Sequence, residues 1–265
     1  MYDFNYKRAS SVDDASSSMA SADDGKFVAG GMTLLPTLKQ RLAMPSDLVD
    51  LADLDDLVGV KVDNNSVTVG AMTPHAVVNA SEEVKKAIPA LSKLAGLIGD
   101  PMVRNRGTIG GSISNNDPAA DYPSAVVGLG ATVHTNKREI AGDDFFTGMF
   151  ETALEEDELV TKVVFPIPEK ASYMKFPNPA SRYAIVGTFV STGSQGTRVA
   201  VTGAGPCVFR QTEMETALEN QFTPETVENI KQDDSDLNTD IHASAEYRAH
   251  LVTVMAKRAV AEANG

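Results

Sequence analysis

Ala29-Gly30-Gly31-Met32-Thr33 lies between an apolar pair, Phe27-Val28, and a helical pattern that begins at Leu34. A second glycine-rich stretch, Arg106-Gly107-Thr108-Ile109-Gly110-Gly111-Ser112, follows a helical pattern over residues 90–98. Glycine permits positive φ and lets a ligand approach the backbone closely. The start of a helix adds unpaired N–H groups that suit an anion. Two such turns in one chain predict a pyrophosphate held from both sides, and hence a bound dinucleotide.

Neither turn is specific by itself, because a Gly-Gly pair commonly forms only a tight turn. The chain lacks the Gly-x-Gly-x-x-Gly pattern of doubly wound dinucleotide-binding sheets. It also lacks the Gly-Lys-Ser/Thr loop that holds nucleoside triphosphates. On the residues alone, two purely structural turns remain the alternative to phosphate binding.

The composition indicates a globular protein with an acidic surface. The 265 residues suffice for one to three domains, and the net charge is 23 − 36 = −13. An acidic chain does not favour nucleic-acid binding, which needs basic patches. No apolar run approaches the ~20 residues of a membrane span, so we expect no transmembrane segment. The first residues have no apolar signal core, which favours a cytoplasmic location.

Cysteine and histidine are too sparse for a metal centre. Cys207 is the only cysteine, so an internal disulfide and a cysteine-bound iron–sulfur cluster are both excluded. The four histidines, His75, His134, His242 and His250, are scattered along the chain, and we predict no metal ligand among them.

Periodicity predicts an α+β architecture. The predicted strands cover residues 26–29, 47–51, 57–62, 66–71, 126–133 and 159–165. After a linker at Pro166-Ile167-Pro168, three further strands at 173–176, 184–190 and 197–201 indicate an antiparallel sheet. Ser11 and Ser81 are predicted to start helices, and residues 224–230 and 244–263 also have helical patterns.

Longer motifs give the chain a family resemblance. They include Phe4-Asn5-Tyr6, Ala29-Gly30-Gly31-Met32-Thr33-Leu34-Leu35-Pro36, Arg41-Leu42-Ala43-Met44-Pro45, Asp100-Pro101-Met102-Val103-Arg104-Asn105-Arg106-Gly107-Thr108-Ile109-Gly110-Gly111 and Asp117-Pro118-Ala119-Ala120-Asp121-Tyr122-Pro123. In this order they resemble the medium, FAD-binding subunits of molybdenum hydroxylases. The resemblance is closest to the carbon monoxide dehydrogenase medium chain and more distant to the flavin domain of xanthine dehydrogenase.

The resemblance implies a two-lobed FAD-binding domain of the PCMH type over residues 1–168, with lobes that divide near residue 60. A smaller domain of sheet and helix would follow over residues 169–265. FAD would lie extended between the lobes. Position 32 is often histidine or another polar residue in relatives, and Met32 can form no histidyl link, so we expect noncovalent FAD.

The resemblance also implies roles for single residues. The backbone of residues 29–33 would hold the pyrophosphate from one side and that of residues 107–111 from the other. The predicted cofactor-binding residues are Ala29, Gly30, Gly31, Met32, Thr33, Gly107, Thr108, Ile109, Gly110, Gly111, Ser112, Asn115, Asp121, Lys175 and Tyr183. No catalytic residue and no metal ligand is predicted.

Three of these residues have distinct predicted chemistry. The Asp121 carboxylate would accept from a flavin hydroxyl, or else serve only as a helix N-cap. Lys175 would place a cation near the flavin ring, where it would stabilise the reduced, anionic form. Tyr183 would stack beside the ring, or else pack in the core of the sheet. Arg104 and Arg106 could neutralise phosphate or form structural ion pairs, and we favour the structural role.

The function implied is electron transfer within a hetero-oligomer. Electrons would arrive from the iron–sulfur clusters of a small subunit, having left the substrate at molybdenum in a large subunit, and would pass through FAD to an external acceptor. Two alternatives stay open: a stand-alone FAD-dependent oxidoreductase, and an assembly subunit that has lost FAD.

Overall fold

The structure is a computed structural model that describes residues 1–265. Three sheets follow one another along the chain, accompanied by helices and a short two-stranded ribbon. The first sheet is parallel and the other two are antiparallel, which confirms the predicted α+β class.

The first sheet alternates strands and helices. Its elements are β1 (Asn5–Arg8), α1 (Val12–Ala20), β2 (Gly25–Val28), α2 (Leu34–Lys39) and β3 (Asp47–Asp50). The strand order is β1-β3-β2. Ser11 caps α1 as predicted, because its hydroxyl accepts from the N–H of Asp14 at 3.0 Å. Arg41, with a φ of 60°, lies just beyond the end of α2, so the helical pattern that continues to Leu42 is not a helix throughout.

The second sheet is built from two segments separated by a group of helices. The first segment is a 3₁₀ turn (Asp55–Leu57) followed by β4 (Val60–Val62) and β5 (Ser66–Gly70). The helices that come next are α3 (His75–Ala80), α4 (Glu82–Ala87), α5 (Pro89–Gly96), α6 (Pro101–Arg106), α7 (Ile109–Asn115) and α8 (Tyr122–Gly128). The second segment contains β6 (Thr132–Thr135), β7 (Glu139–Ala141), α9 (Gly142–Phe145), β8 (Phe146–Gly148), β9 (Glu151–Thr152) and β10 (Val160–Pro166). The order is β4-β5-β10-β6-β7, and β8 pairs only with β9.

The third sheet lies at the end of the chain. Its elements are β11 (Lys170–Pro177), β12 (Ala184–Thr192), β13 (Arg198–Thr202) and β14 (Phe209–Arg210), followed by α10 (Thr212–Asn220), α11 (Pro224–Val227) and α12 (Ala245–Ala263). The sheet is antiparallel, as predicted, with β11 to β14 in sequential order. One face packs on α12, where Leu251 and Met255 are buried against Val190 and Val199.

The other face of the third sheet packs on α8. Tyr173 and Phe189 of the sheet belong to the same buried cluster as Tyr122 and Val126 of α8. The predicted strand over 126–133 is therefore wrong for all but its last two residues, since Val126 to Gly128 are helical and β6 begins at Thr132. Every residue of α8 is buried, so the segment shows no helical alternation of polar and apolar residues, and its continuous apolar run resembles a buried strand.

Candidate cofactor site

The first glycine loop joins β2 to α2 and presents free backbone donors. Gly31 has a φ of +71°, which favours glycine. None of the N–H groups of residues 29–33 donates a hydrogen bond to another protein atom. Consecutive N–H groups around a left-handed residue form a concave nest that suits an anion. The loop can therefore bind phosphate through its backbone.

The two glycine motifs lie directly against each other. A Cβ atom on Gly30 would lie 2.0 Å from the carbonyl oxygen of Arg106 and 2.8 Å from the Cα of Gly107. Since no side chain fits in that space, the glycine at position 30 is required by the contact between the motifs.

The second motif starts a helix and is not a free turn. Thr108 caps α7, its hydroxyl accepting from the N–H of Gly111 at 3.1 Å. The N–H of Gly107 donates to the carbonyl of Val103 at 2.7 Å, and that of Gly110 to the carbonyl of Ala71 at 2.8 Å. The remaining donors from Ile109 to Ser112 are also paired within the protein.

This pairing corrects the donor role predicted for residues 107–111, because most of their N–H groups already have protein acceptors. The glycine at position 110 also has a packing reason. A Cβ atom there would lie 2.7 Å from the Cβ of Ala71 and 2.8 Å from its carbonyl oxygen. The second motif therefore presents to a ligand a surface with few side-chain atoms, opposite the free N–H groups of the first loop.

A cleft of about 650 Å³ runs along both motifs. All of the predicted site residues line this cleft except Ile109 and Lys175. Ile109 is fully buried in the core. Two cationic side chains, Lys26 and Arg182, line the cleft, as do the five carboxylates of Asp100, Asp117, Asp121, Glu156 and Glu158. The cleft therefore meets an anion chiefly with backbone donors.

A buried polar cluster closes one side of the cleft. The Asp121 carboxylate accepts from the Tyr173 hydroxyl at 2.5 Å and from the Lys175 ammonium at 2.9 Å. The same ammonium donates to the carbonyl of Leu97 at 3.1 Å. Burial raises the pKa of Asp121, while Lys175 and Tyr173 act in the opposite direction. Burial also raises the pKa of Tyr173 well above its usual value, so its hydroxyl remains a donor.

This cluster bears on two predicted roles. Asp121 occupies the N-cap position of α8, but its side chain makes no capping hydrogen bond, so the N-cap alternative is wrong. The Lys175 ammonium is buried against Asp121 and does not line the cleft. A ligand in the cleft would therefore experience the positive charge of Lys175 together with the negative charge of the Asp121 carboxylate that is paired with it.

Tyr183 lies on the loop between β11 and β12. The Asn178 side chain orders this loop by accepting from the N–H groups of Ala180 at 2.9 Å and Ser181 at 3.1 Å. Tyr183 lines the cleft and is 45% exposed, so the alternative of an aromatic packed in the sheet core is wrong. Partial burial and the nearby carboxyls of Asp117 and Asp121 raise the pKa of its phenol.

The structure also brings residues to the cleft that the sequence reasoning missed. Asp117 belongs to the Asp117–Pro123 motif and had no predicted role, yet it lines the cleft, and burial raises the pKa of its carboxyl. His75 lines the cleft from below the second motif. Burial is the main cause that lowers its pKa to about 4, and the positive charge of the nearby Arg104 lowers it as well. No local pattern marked His75, since its place depends on long-range packing.

The structure holds neither a metal-binding cluster nor a helix that could span a membrane. No group of three or more His, Cys, Asp or Glu side chains is arranged to hold a metal ion. None of the helices combines the length and the apolar character that crossing a bilayer requires.

Free backbone N–H groups that line a cleft, opposite a surface with few side-chain atoms, are the features of a protein that binds a phosphate-bearing ligand. Comparison with known families agrees. Residues 2–168 match the FAD binding domain in molybdopterin dehydrogenase, and residues 171–263 match the CO dehydrogenase flavoprotein C-terminal domain.

Individual relatives cover nearly the whole chain. The nicotine 6-hydroxylase medium subunit of Paenarthrobacter nicotinovorans is 32% identical over 97% of this chain and 96% of its own length. The carbon monoxide dehydrogenase medium chain of Afipia carboxidovorans is 31% identical over 98% of this chain and 96% of its own length. A solved structure of carbon monoxide dehydrogenase from Hydrogenophaga pseudoflava matches with a TM-score of 0.89 at 30% identity, covering 98% of this chain and 96% of that chain.

The chain therefore belongs to the FAD-binding medium subunits of the molybdenum hydroxylases. The predicted family, the FAD cofactor and the oxidoreductase class are confirmed. The structure has the features that the cofactor needs, because the unpaired donors of the first loop fit a pyrophosphate and the paired second motif leaves room for it.

Proposed function

We propose that this chain carries electrons through FAD bound in the glycine-lined cleft, between an iron–sulfur subunit and an external acceptor. The observation that carries the proposal is the row of unpaired N–H groups at residues 29–33, facing the cleft beside the second glycine motif. FAD supplies the redox chemistry when bound.

The residues of the chain are proposed to bind and orient the cofactor. Residues 29–33 hold the pyrophosphate through their backbone, and Gly107 and Gly111 leave space opposite it. Thr108, Ser112 and Asn115 complete that wall. Tyr183 covers the flavin end of the cleft, and Asp121 is held beside it by Tyr173 and Lys175. These assignments are supported by the placement of the residues around one cleft.

We further propose that FAD is bound without a covalent link. Met32 of the first loop is 38% exposed and lines the cleft, but a thioether offers no histidyl nitrogen for attachment. Acid denaturation should therefore release all flavin into the supernatant. Flavin that stays with the precipitated protein would contradict this proposal.

The domain division is proposed to lie at residue 168. Residues 1–168 form the FAD-binding domain, whose two lobes meet near residue 60, and residues 169–265 form the C-terminal domain. The extents of the two family matches, 2–168 and 171–263, support this division.

Partner subunits are proposed to hold the other redox centres. The relatives are named as a medium subunit and a medium chain, which supports assembly with a small iron–sulfur subunit and a large molybdenum subunit. Since these two relatives carry different substrate names, nicotine and carbon monoxide, we propose that this chain contributes no substrate pocket.

A reduction assay tests the proposal. The purified chain, loaded with FAD, should be bleached by dithionite but not by carbon monoxide, purines or aldehydes. Addition of the iron–sulfur and molybdenum subunits should make flavin reduction depend on substrate. Rapid bleaching by an organic substrate without partners would favour the stand-alone oxidoreductase. Failure to bind FAD at all would favour the assembly subunit.

A further inference from the structure

His75 occupies a fixed position under the second glycine motif. It is the first residue of α3, and its backbone N–H donates to the carbonyl of Gly107 at 3.0 Å. Its ring fills the space beneath Gly107, where a Cβ atom would lie 2.7 Å from Nε2. On another side, the ring of Tyr122 is 5.3 Å away between centroids. The imidazole is therefore held by packing on several sides.

The hydrogen-bonding capacity of this imidazole is unused within the protein. The side chain is 4% exposed, and Nδ1 is buried without any partner. A buried polar atom without a partner is uncommon and destabilises the folded protein. The other ring nitrogen, Nε2, also has no protein partner but is not among the buried atoms, and the residue lines the FAD cleft, so Nε2 is the nitrogen open to a ligand. A bound group that paired with Nε2 would account for a polar ring at this position.

The electrostatic surroundings keep this imidazole neutral at neutral pH. Burial is the main cause that lowers its pKa to about 4, and the Arg104 guanidinium lowers it further. A neutral imidazole has one donor nitrogen and one acceptor nitrogen. It can therefore pair with a hydroxyl or donate to a phosphate or carbonyl oxygen, without adding a charge to the cleft.

We propose that His75 is a cofactor-contacting residue, whose neutral imidazole forms a hydrogen bond with an oxygen of FAD from beneath the second glycine motif. The inference rests on the proposed function, since it takes FAD to be the occupant of the cleft. It adds a side-chain contact to a site whose other phosphate-directed donors belong to the backbone.

The test compares FAD affinity with the stability of the protein without cofactor. In the full-length chain, His75→Leu should raise the Kd for FAD about tenfold, while the Tm of the apoprotein stays the same or rises, because an unpartnered polar group is removed. His75→Gln, which keeps an amide for hydrogen bonding, should recover part of the affinity. His134→Leu is the matched control, because His134 lies on β6 outside the cleft lining, and its Kd should equal that of wild type.

A purely structural role for His75 would give the opposite pattern. In that case the apoprotein Tm would fall in His75→Leu while the Kd for FAD stayed within twofold of wild type, and the inference would be overturned. Wild-type protein that binds no FAD would instead overturn the proposed function.

Should the leucine variant not fold, nitrogen-15 NMR of histidine-labelled wild type decides the question. Saturation with FAD should then shift the ring-nitrogen resonances of the histidine that is missing from the spectrum of His75→Gln. Unchanged resonances at saturation would overturn the inference.

Discussion

At the scale of single residues, one buried carboxylate connects distant parts of the chain. Asp121 immediately precedes α8, Tyr173 and Lys175 lie on β11, and the Leu97 carbonyl follows α5. A buried carboxylate is stable only when its oxygens are paired. Asp121 is therefore held in place by the third sheet, and its position beside the cleft depends on that sheet.

Removal of one of these partners should be costly. In Tyr173→Phe the Asp121 carboxylate loses its hydroxyl donor while it remains buried, so we expect a loss of about 1–3 kcal/mol in the free energy of unfolding. Urea unfolding of the apoprotein measures it. Tyr247→Phe is the control, since Tyr247 is 42% exposed and its change should stay within about 0.5 kcal/mol. Equal values for the two variants would show that the hydroxyl contributes nothing to stability.

The lowered pKa of His75 has a consequence for stability against pH. The folded value is about 4 and the ordinary value is 6.5, so the unfolded chain binds the extra proton first as the pH falls. Stability from this residue is complete above pH 6.5 and is lost progressively down to pH 4. Between pH 7 and pH 5, wild type should lose about 2 kcal/mol more than His75→Gln. Equal losses in urea unfolding at the two pH values would contradict the burial of a neutral imidazole.

At the scale of elements, the contact between the two glycine motifs shapes the cleft. Gly30 touches the backbone of Arg106 and Gly107, and Gly110 touches Ala71 after β5. The motifs are therefore parts of one packed unit, in which the first supplies free donors and the second supplies the opposite wall.

A side chain at this contact should separate the motifs. In Gly30→Ala the new Cβ would lie 2.0 Å from the Arg106 carbonyl oxygen, so the backbone must shift, and we expect at least a tenfold rise in the Kd for FAD. Gly205→Ala is the control, because its Cβ would meet its nearest neighbours at 3.5 Å, an ordinary contact distance. FAD affinity equal to wild type in a folded Gly30→Ala would contradict this account of the site.

The sequence predicted elements well where local chemistry determined them. Ser11 and Ser81 cap helices as expected, and β11 to β13 of the third sheet overlap the three strands predicted there, whereas β14 was not predicted. Residues 126–128 were predicted wrongly because their helix is buried on all sides. The predicted cleft residues came from motifs, but the pairing of the second motif with Ala71 and Thr73 depends on tertiary contacts. The same holds for His75, whose neighbours are distant in sequence.

At the scale of the whole molecule, α8 joins the second and third sheets. The Ser191 hydroxyl donates to the carbonyl of Gly128 at 2.6 Å, and Arg198 Nε donates to that of Val127 at 2.8 Å. Phe189 packs so closely that a Cβ on Gly128 would lie 2.8 Å from its ring. One buried cluster therefore runs from the second sheet through α8 into the third, and the two proposed domains should unfold together.

A substitution on the third sheet should therefore weaken the second sheet as well. Phe189→Ala removes a fully buried ring from the shared cluster, and we expect a loss of about 3–5 kcal/mol in the free energy of unfolding. Because the cluster includes Val69 of β5 and Val163 of β10, hydrogen exchange should show an equal loss of protection in those strands and in β12. Ile241→Ala, at a position 95% exposed, is the control and should change none of them. Loss of protection confined to β11–β14, with β5 and β10 unchanged, would show that the proposed domains unfold independently. Asp121 would then keep its position before α8 after the third sheet had opened.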